Sequence, residues 1–365
     1  GINNRSIFND DEQVIQDKQQ IKQENLTIDE KVDKTVESMS QTEKLGQMVM
    51  IGIQGTKVDD DSLYMLNQYH MGGVILFDRN MESPEQVKQL TSDLQAQSNE
   101  KVPLFIGIDE EGGDVVRMAE KLTPPPSQKE IGATGDIEQA KTWAIKTAKS
   151  LKDMSINVNF APVADVGSND KRSYSIDTNT VIDFVRAATE GYQQENIIYS
   201  LKHFPGIGKG RVDSHVDSSS IDVAKEVLMA EDILPFKTII DGNEPNDYFI
   251  LVSHLKYPAL DEEYPASLSS KIMTDLLRNE LGYKGIIITD DMEMGAVANH
   301  NDFRSIGVKA VKAGADIVLV CHEYKHQQEV YLGLLDAVNS GEISQERIDE
   351  SVKRIIKVKL LHLYQ

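Results

Sequence analysis

Eight short runs of apolar, often β-branched residues punctuate this chain, and stretches with amphipathic-helix spacing separate them. The runs are Gly46–Ile53, Gly73–Phe77, Leu104–Ile108, Asn157–Phe160, Ile197–Leu201, Phe249–Ser253, Gly285–Thr289 and Ile317–Val320. Strands this apolar have no polar face to offer water, so both faces must be covered, as in a parallel sheet clad in helices. Eight such alternations predict an α/β fold, a (β/α)8 barrel of the TIM type in a single domain. A doubly wound open sheet is the alternative. Helix punctuation agrees. Ser83-Pro84-Glu85-Gln86 supplies an N-cap, a proline at the first helical position and a capping-box partner, and Leu90 and Leu94 then mark a buried stripe.

Residues 1–38 differ in texture. Asn, Gln, Asp, Glu and Lys dominate and the apolar residues are isolated, which predicts a polar tail or linker, or at most a loosely packed helix. The catalytic-domain candidate is then 39–365. Its last predicted helix, about 344–363, runs to the end of the chain, so no second C-terminal domain is expected. At 365 residues the length suits one large barrel.

Charge narrows the function. With 59 acidic against 38 basic residues the formal net charge is −21, which argues against a duplex nucleic acid or an anionic membrane as partner. Cys321 is the single cysteine, so neither an intrachain disulfide nor a CxxC metal site can form. No apolar run approaches the roughly 18 residues that span a bilayer. The glycine-rich stretch after the fifth run fits neither common phosphate-binding pattern, and no cofactor or metal is expected.

A barrel carries its chemistry at the C-terminal ends of its strands. Just beyond the runs lie Asp109-Glu110-Glu111-Gly112-Gly113, Asp165 with Arg172 further on, Lys202-His203, His254, Asp290-Asp291 and Cys321-His322. Any one of these is as readily a helix cap or a surface contact. Acids, bases and cations converging on one rim predict a pocket for a polar substrate. Two positions stand out. Asp290 is delivered by a rigid apolar run, which suits a carboxylate nucleophile at an anomeric carbon; Asp291 beside it reads as a cap or hydrogen-bonding support. The loop from Lys202 to His215 holds Gly206, Gly208 and Gly210 around Pro205 and ends in Asp213-Ser214-His215, where a carboxylate next to an imidazole can set its tautomer and basicity.

Taken in order, these stretches closely resemble glycoside hydrolase family 3, in its β-N-acetylglucosaminidase (β-hexosaminidase) branch. The residues carrying the resemblance are Gly73-Val-Ile-Leu-Phe77, Phe105-Ile-Gly-Ile-Asp-Glu-Glu-Gly-Gly113, Asn159-Phe-Ala-Pro-Val-Ala-Asp165, Arg172-Ser-Tyr174, Lys202-His-Phe-Pro-Gly206, Asp213-Ser-His215, Pro265-Ala-Ser-Leu-Ser269 and Ile288-Thr-Asp-Asp-Met292. The resemblance implies a retaining exo-β-N-acetylglucosaminidase with Asp290 as nucleophile, His215 as acid/base and Asp213 as its dyad partner. It also implies that Asp109, Arg117, Arg172, Lys202 and His203 hold the sugar hydroxyls. Three positions depart from the usual pattern: Ile207 stands where a histidine is common, Lys209 where a small or acidic residue is, and Asp114 where an arginine is.

The expected substrate is an N-acetylglucosamine-containing glycan or muropeptide, with release of the sugar from peptidoglycan fragments. The expected location is extracellular or at the cell surface, with membrane tethering through an N-terminal lipid anchor outside this chain; a cytoplasmic location is the alternative. Rival readings are a β-N-acetylglucosaminide phosphorylase, a metal-dependent hydrolase using His203, His215, His254 and Asp290, and a non-catalytic cell-wall sugar-binding protein.

Overall fold

A strand falls on each apolar run, and every strand residue is buried. The computed structural model describes residues 10–18, 25–98, 102–167, 171–210 and 219–364. The strands are β1 Val49–Gly52, β2 Gly73–Leu76, β3 Phe105–Ile108, β4 Val158–Asn159, β5 Ile198–Phe204, β6 Tyr248–Val252, β7 Ile286–Thr289 and β8 Val318–Val320. All pair in parallel, in the order β7-β6-β5-β4-β3-β2-β1-β8. The ring closes at the β7–β8 seam through a bridge between Ile288 and Ile317. There the N–H groups of Asp316 and Ile317 donate to Ile287 O at 2.8 and 3.1 Å, and Thr289 N–H donates to Ile317 O at 3.1 Å. The expected barrel is therefore the one observed, and the open sheet is not.

Aromatic side chains fill the interior. The Phe105 and Phe249 rings meet edge to face at 5.1 Å, and Phe160 lies 6.4 Å from Phe249. Gly107 makes room for this packing, because a Cβ there would stand 2.7 Å from the Phe160 ring. Outside, the helix Pro84–Gln97 begins as expected, with Ser83 Oγ accepting from Gln86 N–H at 3.1 Å, and it buries Val87, Leu90, Thr91 and Leu94. Gln86 Oε1 accepts from Glu82 N–H rather than from Ser83, so the box reaches one residue further back than expected.

The polar-tail expectation needs correction at its C-terminal end. Ile28–Glu37 is a helix with a Thr27 cap, and it lies on the last helix, Gln345–His362. Val32 and Val36 are 4% and 2% exposed, and Asp33 and Asp29 pair with Lys353 and Lys357 at 3.2 and 3.0 Å. Two valines one turn apart are stripe enough to dock a helix that is polar elsewhere. Among the described residues no helix is long and apolar enough to cross a membrane.

Candidate active site

The rim is assembled from the segments that leave the strand ends. After β3 the chain doubles back at Gly112 and Gly113, both in the left-handed region at φ 121° and 58°, and Glu111 N–H donates to Val115 O at 3.0 Å. A side chain at Gly112 would meet Pro126 O at 2.2 Å. This turn points Asp109 and Glu111 inward and returns Arg117 to the same cleft. β5 runs three residues beyond its expected end, so Lys202 and His203 belong to the strand rather than to a loop.

These groups form one hydrogen-bonded chain. Lys202 Nζ donates to Glu111 Oε2 at 2.6 Å and to Asp109 Oδ1 at 3.1 Å. Arg172 grips Glu111 bidentately at 2.9 and 2.7 Å, and its Nη2 lies 3.3 Å from His203 Nε2. His203 Nδ1 lies 2.8 Å from Asp165 Oδ2. Arg117 Nη2 lies 3.6 Å from Asp109 Oδ2, with its guanidinium 5.3 Å from the centre of the Phe77 ring. Burial alone would raise the Glu111 pKa, but the Lys202 charge and the Arg172 bonds bring it down to about 2. Burial likewise works against the Lys202 charge; Glu111 and Asp109 win and hold its pKa above the usual lysine value.

Opposite this chain, Asp290 leaves the end of β7. Its N–H donates to Val252 O at 3.0 Å, and its Oδ1 accepts from Asp291 N–H at 2.9 Å. Oδ2 has no hydrogen-bond partner among the described residues. Asp291 is a support and not a cap: its Oδ1 accepts from Cys321 and Glu293 N–H groups at 3.1 and 3.2 Å, tying the β7 loop to the end of β8. Burial, with the Glu293 charge second, pushes its pKa up to about 6. Met292 is fully buried packing, whereas Met294 lines the cleft. The cleft holds about 360 Å³ over a floor of Ile75, Phe160, Leu251 and Leu319. Asp109, Arg117, Arg172, Lys202, His203 and Asp290 all face it.

Of the metal set in the rival hydrolase reading, His203, His254 and Asp290 are described, and they do not cluster as ligands. His254 is buried with Nδ1 2.6 Å from Ser267 Oγ and Nε2 2.7 Å from Asp291 O, so both ring nitrogens are engaged. Among the described residues, Glu293, Glu323 and His326 also cluster. Glu293 there accepts the His322 and Glu323 N–H groups at the start of the helix Tyr324–Ser340, which accounts for its place.

Residues 40–358 match the Glycosyl hydrolase family 3 N terminal domain. The chain belongs to glycosyl hydrolase family 3. It is 35% identical over 326 residues to a β-hexosaminidase A of Pseudoalteromonas piscicida, covering 81% of this chain and 54% of that protein. It thus spans about half the length of that relative. A β-hexosaminidase of Nitrosomonas eutropha is 31% identical over 318 residues, covering 83% of this chain and 90% of its own. Among solved structures, a family 3 β-N-acetylglucosaminidase from Paenibacillus sp. superposes with a TM-score of 0.85 at 37% identity, over 88% of this chain and 62% of that one.

Of the family 3 positions singled out in the sequence, Asp213 and His215 lie outside the described residues. The departures before them are in view. Ile207 N–H donates to Asp165 Oδ1 at 3.0 Å, a contact any residue's backbone supplies. Lys209 Nζ bridges Asp232 Oδ2 and Glu231 Oε2 at 2.5 and 2.6 Å. Gly208 passes so near Val166 that a Cβ would sit 1.8 Å from its carbonyl oxygen. Asp114 faces the cleft. Sequence reasoning named Asp165 and the Glu110-Glu111 pair as rim residues without giving them roles. Glu111 is the hub of the network, and its contiguity with Asp109 was the only signal for it.

Proposed function

We propose that this chain is the catalytic barrel of a retaining exo-β-N-acetylglucosaminidase that removes terminal N-acetylglucosamine from peptidoglycan fragments. The observation that carries this reading is Asp290, tied down through its own N–H and through Oδ1 with Oδ2 left over, across a cleft from the Asp109–Lys202–Glu111–Arg172–His203 network. In the first step Asp290 attacks the anomeric carbon as the glycosidic C–O bond breaks, and His215 gives its proton to the departing oxygen. In the second, water attacks that carbon, His215 takes the water's proton, and Asp290 leaves with the configuration retained. Asp213 holds the His215 imidazole in its working tautomer. Asp109 accepts from sugar hydroxyls while Lys202, Arg117 and Arg172 donate, all as charge-assisted bonds. The peptidoglycan assignment rests on the family resemblance.

The test is release from a chromogenic β-N-acetylglucosaminide by the wild type and by Asp290→Ala, beside the corresponding glucoside, with and without phosphate. Release that needs the N-acetyl group, falls to background in Asp290→Ala and is indifferent to phosphate is the expected result. Phosphate-dependent release would make the protein a phosphorylase. No release by folded wild-type protein would leave only sugar binding.

A further inference from the structure

A second cavity opens beside the catalytic cleft, between the segments that leave β6 and β7. It holds about 250 Å³, and its lining includes Lys256, Lys309, His300, Glu263, Leu268 and His254. We propose that this cavity is an anion subsite that receives a carboxylate on the substrate beyond the scissile bond. The proposal rests on the glycosidase reading above and specifies what that enzyme selects for.

Charge is the first argument. In a chain of net charge −21, two lysines and two histidines line this cavity with one carboxylate, Glu263, while Asp302 acts on Lys309 from outside the lining. Four exposed or half-buried lysines elsewhere pair with acids, Lys44 with Asp349, Lys312 with Glu342, Lys353 with Asp33 and Lys357 with Asp29, whereas others such as Lys237 and Lys284 do not among the described residues. Lys256 and His300 have no side-chain hydrogen bond or ion pair among the described residues, although carboxylates outnumber cations across the molecule. Lys309 Nζ donates to Asn301 Oδ1 at 2.6 Å, a neutral partner that places the ammonium and leaves its remaining N–H groups to bind a ligand.

Position is the second. His254 is a wall of this cavity, and its Nε2 lies 2.7 Å from the carbonyl of Asp291, the residue after the nucleophile. His300 and Asn301 end the same β7 segment that begins with Asp290. The cavity is therefore joined to the catalytic cleft through the His254–Asp291 contact and through the β7 loop, which lines both. Pro265 and Leu268 supply an apolar surface for the chain carrying the carboxylate. Since His254 has both nitrogens engaged, the lysines and His300 are the groups available to an anion.

The experiment uses the full chain and two β-N-acetylglucosaminides whose aglycones are identical except for a terminal carboxylate or its carboxamide. Wild type should favour the carboxylate about tenfold in kcat/KM at low ionic strength, and added salt should shrink the ratio because exposed charges are screened over roughly 10 Å at 0.1 M. In Lys256→Gln/Lys309→Gln the ratio should fall to about one, with an unchanged thermal midpoint showing that the fold is intact. Lys256→Glu should carry the ratio below one. A wild-type ratio near one, or a preference that survives the double substitution, overturns this inference and leaves the glycosidase reading standing. Cleavage of neither substrate by folded wild type overturns both.

Discussion

Glu110 and Glu111 are neighbours in sequence with opposite surroundings. Glu111 is clasped by two cations. Glu110 points away from the cleft, with Arg117 N–H donating to its Oε1 at 2.6 Å; burial, only partly offset by Arg117, raises its pKa to about 7. Glu111, held low, therefore contributes stability that is present above the usual glutamate pKa and lost as the pH falls toward 2. Glu110, held high, is bound to its proton in the folded protein, so it costs stability as the pH climbs from 4.5 to about 7, by roughly 3 kcal/mol in all. Glu110→Gln keeps an acceptor for Arg117 and removes that titration. Its thermal midpoint relative to wild type should therefore rise as the pH goes from about 4 to about 8, and a difference that stays flat across that range would refute the assignment. A sequence places both glutamates on the rim. It cannot tell them apart, because their protonation is set by Lys202, Arg172 and the packing around them.

At the scale of the element, β5 and its continuation carry the most information. Asp165 receives the N–H groups of His203 and Ile207 at 3.2 and 3.0 Å, and so secures both the strand end and the start of the glycine-rich loop. Lys209 then fastens the loop to Asp232 and Glu231. Gly208→Ala forces this seat open, since the added carbon overlaps the Val166 carbonyl. Displacing a catalytic segment by about 1 Å can cost on the order of 10²-fold. The expected result is a loss of that size in kcat/KM with most of the thermal stability kept, because the barrel strands are untouched. Unaltered kinetics in the folded variant would show that the seat does not position the loop. The three glycines and Pro205 were legible as an irregular loop from composition alone. That Lys209 anchors it was not, because its partners lie more than twenty residues further along the chain.

At the scale of the molecule, the barrel depends on its β7–β8 seam. Asp316 sits there fully buried. Its Oδ2 accepts from Ile287 N–H and Arg278 Nη2, both at 2.9 Å, and its Oδ1 accepts from Ser351 Oγ at 2.6 Å and Arg354 Nη1 at 2.9 Å. One carboxylate thus joins the last strand to the helical segment Lys271–Glu280 and to the helix Gln345–His362. Asp316→Ala removes the fully buried carboxylate that the part-buried Arg278, Arg347 and Arg354 share, and the loss should approach the roughly 3–5 kcal/mol that breaking a buried pair costs. Denaturant unfolding should show that loss as a lower midpoint; a change under about 1 kcal/mol would mean the seam is held by packing alone. The sequence by itself determined the fold class, the rim list and the family, because strand and helix periodicity and motif order are properties of short stretches read one after another. Closure of the sheet, the docking of Val32 and Val36, the Glu111 hub and the cationic cavity beside Asp290 were decided only by the tertiary structure. Each of these arises from groups far apart in the chain, whose burial and pairing exist only once the barrel has brought them together.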